Sequence, residues 1–251
     1  MRWPLSLLGA VISMLIASAA LAQTDNPCQV GDGILQPAFP LSRVAAAIEA
    51  KKLDIIVVGT SSSALARFGA GKAYPVQFQT GLKQKLPGVA IRVSTYARSR
   101  LTAPDMVKVI ERSVAQDKPA LVIWQTGTAD AIRGIDPEEF RAALDEGITS
   151  ATAGHADMIL MNMQFSPRTE VMIALTSYLD VMRFVALQHE IDLFDRYAVM
   201  KYWSEIGTFD FSVGTKKTDL AEKVHACIGQ LLTDFVLESA KLTAPPPSDK
   251  Q

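Results

Sequence analysis

Gly59-Thr60-Ser61-Ser62-Ser63 directly follows the apolar run 53–58. An apolar run that ends in glycine and a cluster of hydroxyls reads as a buried strand delivering a serine to the rim of a sheet. An α/β protein holds its ligand at such a rim, and a serine there is placed to attack a carbonyl. Attack needs a base for the hydroxyl proton and donors for the developing oxyanion. The choice of base is narrow, because the chain has only His155, His189 and His225. Without a base Ser61 is a poor nucleophile near neutral pH, and its plainer role is to cap the next helix or line a turn.

The elements that must position Ser61 follow from periodicity. Strand-like runs at 53–58, 89–94, 120–125, 157–163 and 191–194 alternate with helical patterns at 75–86, 104–116, 137–153, 171–189, 196–206 and 219–240. Pro75, Pro104 and Pro137 suit a first helical turn, and Asp136 suits an N-cap. Met106, Val109, Ile110 and Val114 share one helical face, as a helix covering a sheet requires. The alternation predicts a single-domain three-layer α/β/α sandwich with a five-stranded parallel flavodoxin-like sheet, order 2-1-3-4-5. The crevice then lies between strands 1 and 3, flanked by Ser61 and by Gly127-Thr128. His155 and His189 precede strands 4 and 5. They fall on the opposite edge and read as helix-end residues. His225 is on the correct side, but about 9 Å into the last helix at 1.5 Å per residue. Asp219 or Glu222 would orient it only if that helix begins later.

Residues 1–22 read as an export signal, with Arg2, an apolar core at 5–16 and the small-residue site Ala20-Leu21-Ala22. The alternative is a membrane anchor, for which the apolar stretch is short. The expected location is the periplasm or medium of a bacterium, with no membrane span in the mature chain. Residues 23–40 read as an N-terminal arm, 41–243 as the domain, and 244–251, with three prolines, as a disordered tail. A net charge of −1 gives no bulk attraction to nucleic acid. Cys28 and Cys227 either bridge the arm to the last helix or stay as two unpaired thiols. The cysteines and histidines show no metal-ligand spacing.

Over about residues 28–240 the chain resembles the SGNH/GDSL hydrolase superfamily, in an exported bacterial branch with a Gly-Ser-Ser-Ser block. The resemblance is carried by 55–63, by Ala103-Pro104-Asp105-Met106, by 121–128, by 163–168, by 194–203 and by Ala226-Cys227-Ile228-Gly229. It implies hydrolysis of acyl or acetyl esters of a glycan, a lipid or a small molecule, with Ser61 as nucleophile and no cofactor. It also implies a histidine base in the last loop, an Asp three residues before it, and oxyanion donors from Ser61 N–H, a glycine N–H and an asparagine side chain. This chain departs from that set. Ala97 stands at the glycine, where its backbone N–H can still serve, and Ala129 stands at the asparagine. Counted back from Cys227 and Gly229, Lys216 and Asp219 stand at the Asp and His. His225 is then an improvised base. Asp130 cannot replace the missing donor, because a carboxylate repels an oxyanion. Arg98, Arg100, Arg133 and Arg168, with Gln164, fall on loops at the same edge, where they either bind an anionic ligand or are ordinary solvated charge. Tyr96 and Phe165 either stack on a sugar or pack locally. The alternative function is a catalytically inactive binding module for an anionic envelope ligand or partner.

Overall fold

The computed structural model describes residues 26–64, 69–212 and 218–242. Residues 1–22, expected to be an export signal, residues 244–251, expected to be a tail, and Lys216 lie outside the described residues. Five strands, β1 (Lys52–Gly59), β2 (Ala90–Ala97), β3 (Leu121–Gln125), β4 (Asp157–Met161) and β5 (Asp192–Phe194), form one sheet in the order β2-β1-β3-β4-β5. Every pairing is parallel, so the order expected from the sequence holds.

Alternate residues of the central strands feed two cores, as the pleat demands. Leu53, Ile55 and Val57 of β1, with Leu121 and Ile123 of β3, pack under α1 (Ser42–Glu49), α3 (Tyr74–Lys85), α9 (Arg196–Glu205) and α10 (Thr218–Ser239). Ile56, Val58, Val122 and Trp124 pack under α4 (Ala103–Asp117), α6 (Pro137–Ala153) and α8 (Thr176–Gln188). Three short helices, α2 (Ser61–Ala64), α5 (Thr128–Arg133) and α7 (Pro167–Met172), follow the carboxyl ends of β1, β3 and β4. Asp136 caps α6 by accepting from Glu138 N–H, as its position before Pro137 suggests.

The expected helix over 171–189 is two helices. Ser166 accepts from Thr169 N–H and starts α7 early, Ile173 leaves the helix with φ −138° and ψ 132°, and Leu175 turns into the core. Helices α3 and α10 pack closely. A Cβ on Gly229 would lie 2.4 Å from Gln77 Cβ, and one on Gly81 would lie 2.5 Å from Thr233 Oγ1. That approach brings His225 of α10 against the start of α3.

The arm has no helix or strand over 26–40 but is tied at three places. Cys28 and Cys227 form a disulfide with Cα atoms 4.8 Å apart. Trp203 Nε1–H donates to the Gln29 carbonyl at 2.9 Å, and Asp192 Oδ1 accepts from Ala38 and Phe39 N–H at 2.8 and 3.1 Å. Among the described residues no helix is long and apolar enough to cross a membrane.

Candidate functional site

The chain can turn sharply at the end of β1 because Gly59 lacks a side chain. A Cβ there would lie 2.3 Å from Ser63 Oγ and 3.2 Å from Gln125 Oε1. Gln125 ends β3 and is fully buried. Its Oε1 gathers Thr60 N–H at 3.3 Å, Thr60 Oγ1 at 3.1 Å, Ser62 Oγ at 2.9 Å and Ser63 Oγ at 3.0 Å. Ser63 Oγ also lies 3.0 Å from the Tyr74 hydroxyl. The hydroxyls of Thr60, Ser62 and Ser63 are thus turned inward onto β3. Ser61 is exposed, and its hydroxyl has no hydrogen bond among the described residues. One serine at the rim is presented by three neighbours that are held down.

The structure does not join His225 to Ser61. Tyr74 N–H donates to His225 Nδ1 at 3.0 Å. Burial, and then the charge of Arg196, hold the imidazole down at a pKa of about 4. A neutral ring that accepts at Nδ1 carries its proton on Nε2, so it has no second lone pair to offer a serine. Asp219 is exposed in the first turn of α10. His155 and His189 lie at the opposite edge of the sheet, before β4 and β5. His189 Nε2 pairs with Asp145 Oδ1 at 2.8 Å.

The depressed His225 has a consequence for stability. Its folded pKa lies below the unfolded value of 6.5, so the unfolded chain binds the proton first as the pH falls. The contribution is fully present above pH 6.5 and is lost as the pH falls through 4. At about 1.4 kcal/mol per pKa unit it amounts to about 3 kcal/mol at most. Asp130 and Asp157, raised by burial, act in the opposite sense at low pH. The isolating measurement is therefore a difference. Urea unfolding of the wild type should lose up to about 3 kcal/mol more than His225→Gln between pH 7 and 4. Parallel pH profiles would show that His225 is not held neutral.

Two of the three expected oxyanion donors depart from the pattern, at Ala129 and at Ala97. Ala129 is buried in the first turn of α5. Asp130 beside it is a strut, with Oδ1 accepting from Ala103 N–H at 2.7 Å and Oδ2 from Gly127 N–H at 3.2 Å and Thr126 Oγ1 at 3.3 Å. It locks the β3–α5 turn to the start of α4. Ala97 pairs with Gly59, but the Gly59 carbonyl takes Arg98 N–H at 3.3 Å. Successive N–H groups of a strand point opposite ways, so Ala97 N–H points away from β1.

Arg98, Arg100 and Arg168 are exposed at this edge without an ion pair among the described residues, and Gln164 is half-buried. Arg133 lies 3.7 Å from Asp105. Both aromatics pack locally, and Tyr96 lies in β2 rather than on a loop. Phe165 meets Tyr197 and Phe211 edge-on, and the Tyr96 hydroxyl donates to Asp117 at 2.5 Å.

The structure adds a residue that the sequence reading missed. Arg196 opens α9 directly after β5, on the same edge as Ser61, yet is only 3% exposed. Asn162 sets this junction. Its Oδ1 accepts from Tyr197 N–H at 2.9 Å, and its Nδ2 donates to Asp195 at 2.7 Å. Asp195 in turn caps Ala198 N–H at 2.9 Å. Arg196 is left pointing into the protein with Nη1 3.5 Å from Ser62 Oγ, and burial brings its pKa down to about 10.

Comparison with known proteins agrees with this architecture. Solved structures of similar fold include TesA, 23% identical with TM-score 0.58, covering 75% of this chain and 98% of that one. Axe2, an acetylxylan esterase from Geobacillus stearothermophilus, is 20% identical with TM-score 0.58, covering 76% and 95%. The psychrotrophic esterase EstA from Pseudoalteromonas sp. is 14% identical with TM-score 0.59, covering 74% and 97%. At these identities the likeness is one of fold. Comparison with curated protein sequences gives no match. The model of the Non-GDSL lipase-like family matches residues 27–242, a span that takes in the arm, all five strands and α10. The chain therefore belongs to the Non-GDSL lipase-like family.

Proposed function

We propose that the chain is an exported SGNH-type protein that acts on ester bonds, the acyl or acetyl groups of a glycan, a lipid or a small ester, through Ser61, with impaired catalysis. The observation that carries this reading is the exposed Ser61 at the carboxyl edge of β1, beside three hydroxyls spent on Gln125. The impairment follows from His225, whose Nδ1 is occupied, and from Ala129. A missing base and a missing oxyanion donor together remove about 5 kcal/mol or more of transition-state stabilisation, although such losses do not add. Export is supported by the signal-like segment 1–22 and by the disulfide, which suits an oxidising compartment.

Hydrolysis of a short-chain aryl acetate by residues 23–251 tests the reading. Turnover should be slow, and Ser61→Ala should reduce it to background. Retained turnover in Ser61→Ala would sink this mechanism. Equal background rates in both proteins would favour the second reading, a binding module for an anionic envelope ligand. That reading is supported by Arg98, Arg100 and Arg168 at the same edge, exposed and outside any ion pair among the described residues. It expects no labelling of Ser61 by a serine-reactive phosphonate, and ligand binding weakened by Arg98→Ala or Arg168→Ala.

A further inference from the structure

Arg196 is a buried cation without a counter-charge among the described residues. Among the described residues no carboxylate lies within ion-pair distance of it, and its Nε and Nη2 have no hydrogen-bond partner. Among the described residues its one such contact is Nη1 with Ser62 Oγ. Asp195, next to it in the chain, is taken up by Ala198 N–H, Asn162 and Arg183. The groups nearest in charge are the Tyr74 phenol and the neutral His225. Gln125, whose Oε1 holds Ser62, also has an unpartnered buried Nε2.

The two free donors of Arg196 are not scattered. Nε–H and Nη2–H lie along one edge of the planar guanidinium, and that edge receives the two oxygens of a carboxylate side by side. A charge withdrawn from water without a partner is costly, and an oxyanion on this edge removes the cost. We propose that Arg196 anchors a carboxylate-binding site beside the serine block, with Ser62 holding the opposite end of the guanidinium. One cation among neutral neighbours matches a monoanion, whereas a phosphate dianion would leave a buried negative charge uncompensated. The carboxylate has two available sources: the acid released by ester cleavage, or the carboxyl group of an acidic sugar. The site does not depend on turnover at Ser61.

The test titrates residues 23–251 with sodium acetate, sodium glucuronate or sodium phosphate against sodium chloride at matched ionic strength. It follows the thermal midpoint and the NMR titration of the His225 ring. Acetate or glucuronate should raise the midpoint saturably. Each should also move the His225 pKa upward, because the bound anion cancels the Arg196 field at that ring. Tighter acetate points to the product acid, and tighter glucuronate to an acidic sugar. Arg196→Lys keeps the charge but loses the fork, and should weaken carboxylate binding about tenfold or more. The wild-type titration decides the matter even if that variant does not fold. Identical responses to carboxylates and chloride, phosphate binding tighter than either carboxylate, or undiminished binding by folded Arg196→Lys would each overturn the proposal.

Discussion

Restoring a donor at position 129 and a base pair at 216 and 219 should raise aryl acetate hydrolysis by about 10³-fold or more over the wild type. The variant is Ala129→Asn, Lys216→Asp and Asp219→His. An oxyanion donor is worth about 10²–10³ in rate and a positioned base about 10²–10⁴, and the two act as a unit, so their product overstates the gain. Local structure favours the graft. Ala129 sits in the first turn of α5, with Asp130 held by three donors below it, so the turn has a fixed frame into which an amide is introduced. Asp219 is exposed at the start of α10, more than a helical turn before His225, and a histidine there escapes the burial that holds His225 neutral. Ser61→Ala on the restored background should remove the gain. A folded triple variant no faster than the wild type would show that Cys227 and Gly229 do not set the register of the missing base pair.

The sheet was legible because its central strands β1, β3 and β4 are buried on both faces and each strand is followed by a helix with a proline or a capping residue at its start. The strand order followed from that alternation. The break between α7 and α8 was not legible, because it exists to bury Leu175, and burial of one leucine is a tertiary event that local periodicity does not encode. Six-residue α5 is too short for any period to show. In the site, the strand-ending serine block announced Ser61, but the hold on its neighbours comes from Gln125, which in sequence reads as an ordinary polar strand end. His225 was correctly placed inside a helix. Its partner, the Tyr74 backbone N–H, comes from a packing that Gly229 and Gly81 permit. Arg196 did leave a trace. A cation in the first turn of a helix opposes the helix dipole, and the acid at the N-cap of α9, Asp195, is engaged by Ala198 N–H, Asn162 and Arg183. An unfavourable charge at a strand–helix junction on the ligand edge of the sheet is the signal that would have found it.

Removing the disulfide with Cys28→Ser and Cys227→Ser should cost about 3–5 kcal/mol of stability. The bridge closes 199 residues of sequence separation. Loop-closure entropy for a ring of that size reaches about 5 kcal/mol, the top of the usual range, because almost the whole folded domain lies inside it. The arm's other ties to the domain are the packing of Val30, Ile34 and Leu35 on the core and hydrogen bonds from Trp203 to the Gln29 carbonyl, from Ala38 and Phe39 N–H to Asp192 and from Ser239 to the Phe39 carbonyl, each bond worth about 1 kcal/mol net. They do not replace a covalent link. A domain of this size holds about 5–15 kcal/mol in all, so the variant would sit near the edge of folding at 37 °C. Its thermal midpoint should fall by about 6–20 °C, at about 2–4 °C per kcal/mol for a chain of this length. Because Cys227 lies two residues after His225 on α10, the same change should loosen the His225–Tyr74 contact and lift the His225 pKa toward 6.5. A drop in stability with an unmoved His225 would mean that the Gly229 and Gly81 packing, rather than the bridge, seats α10 against α3.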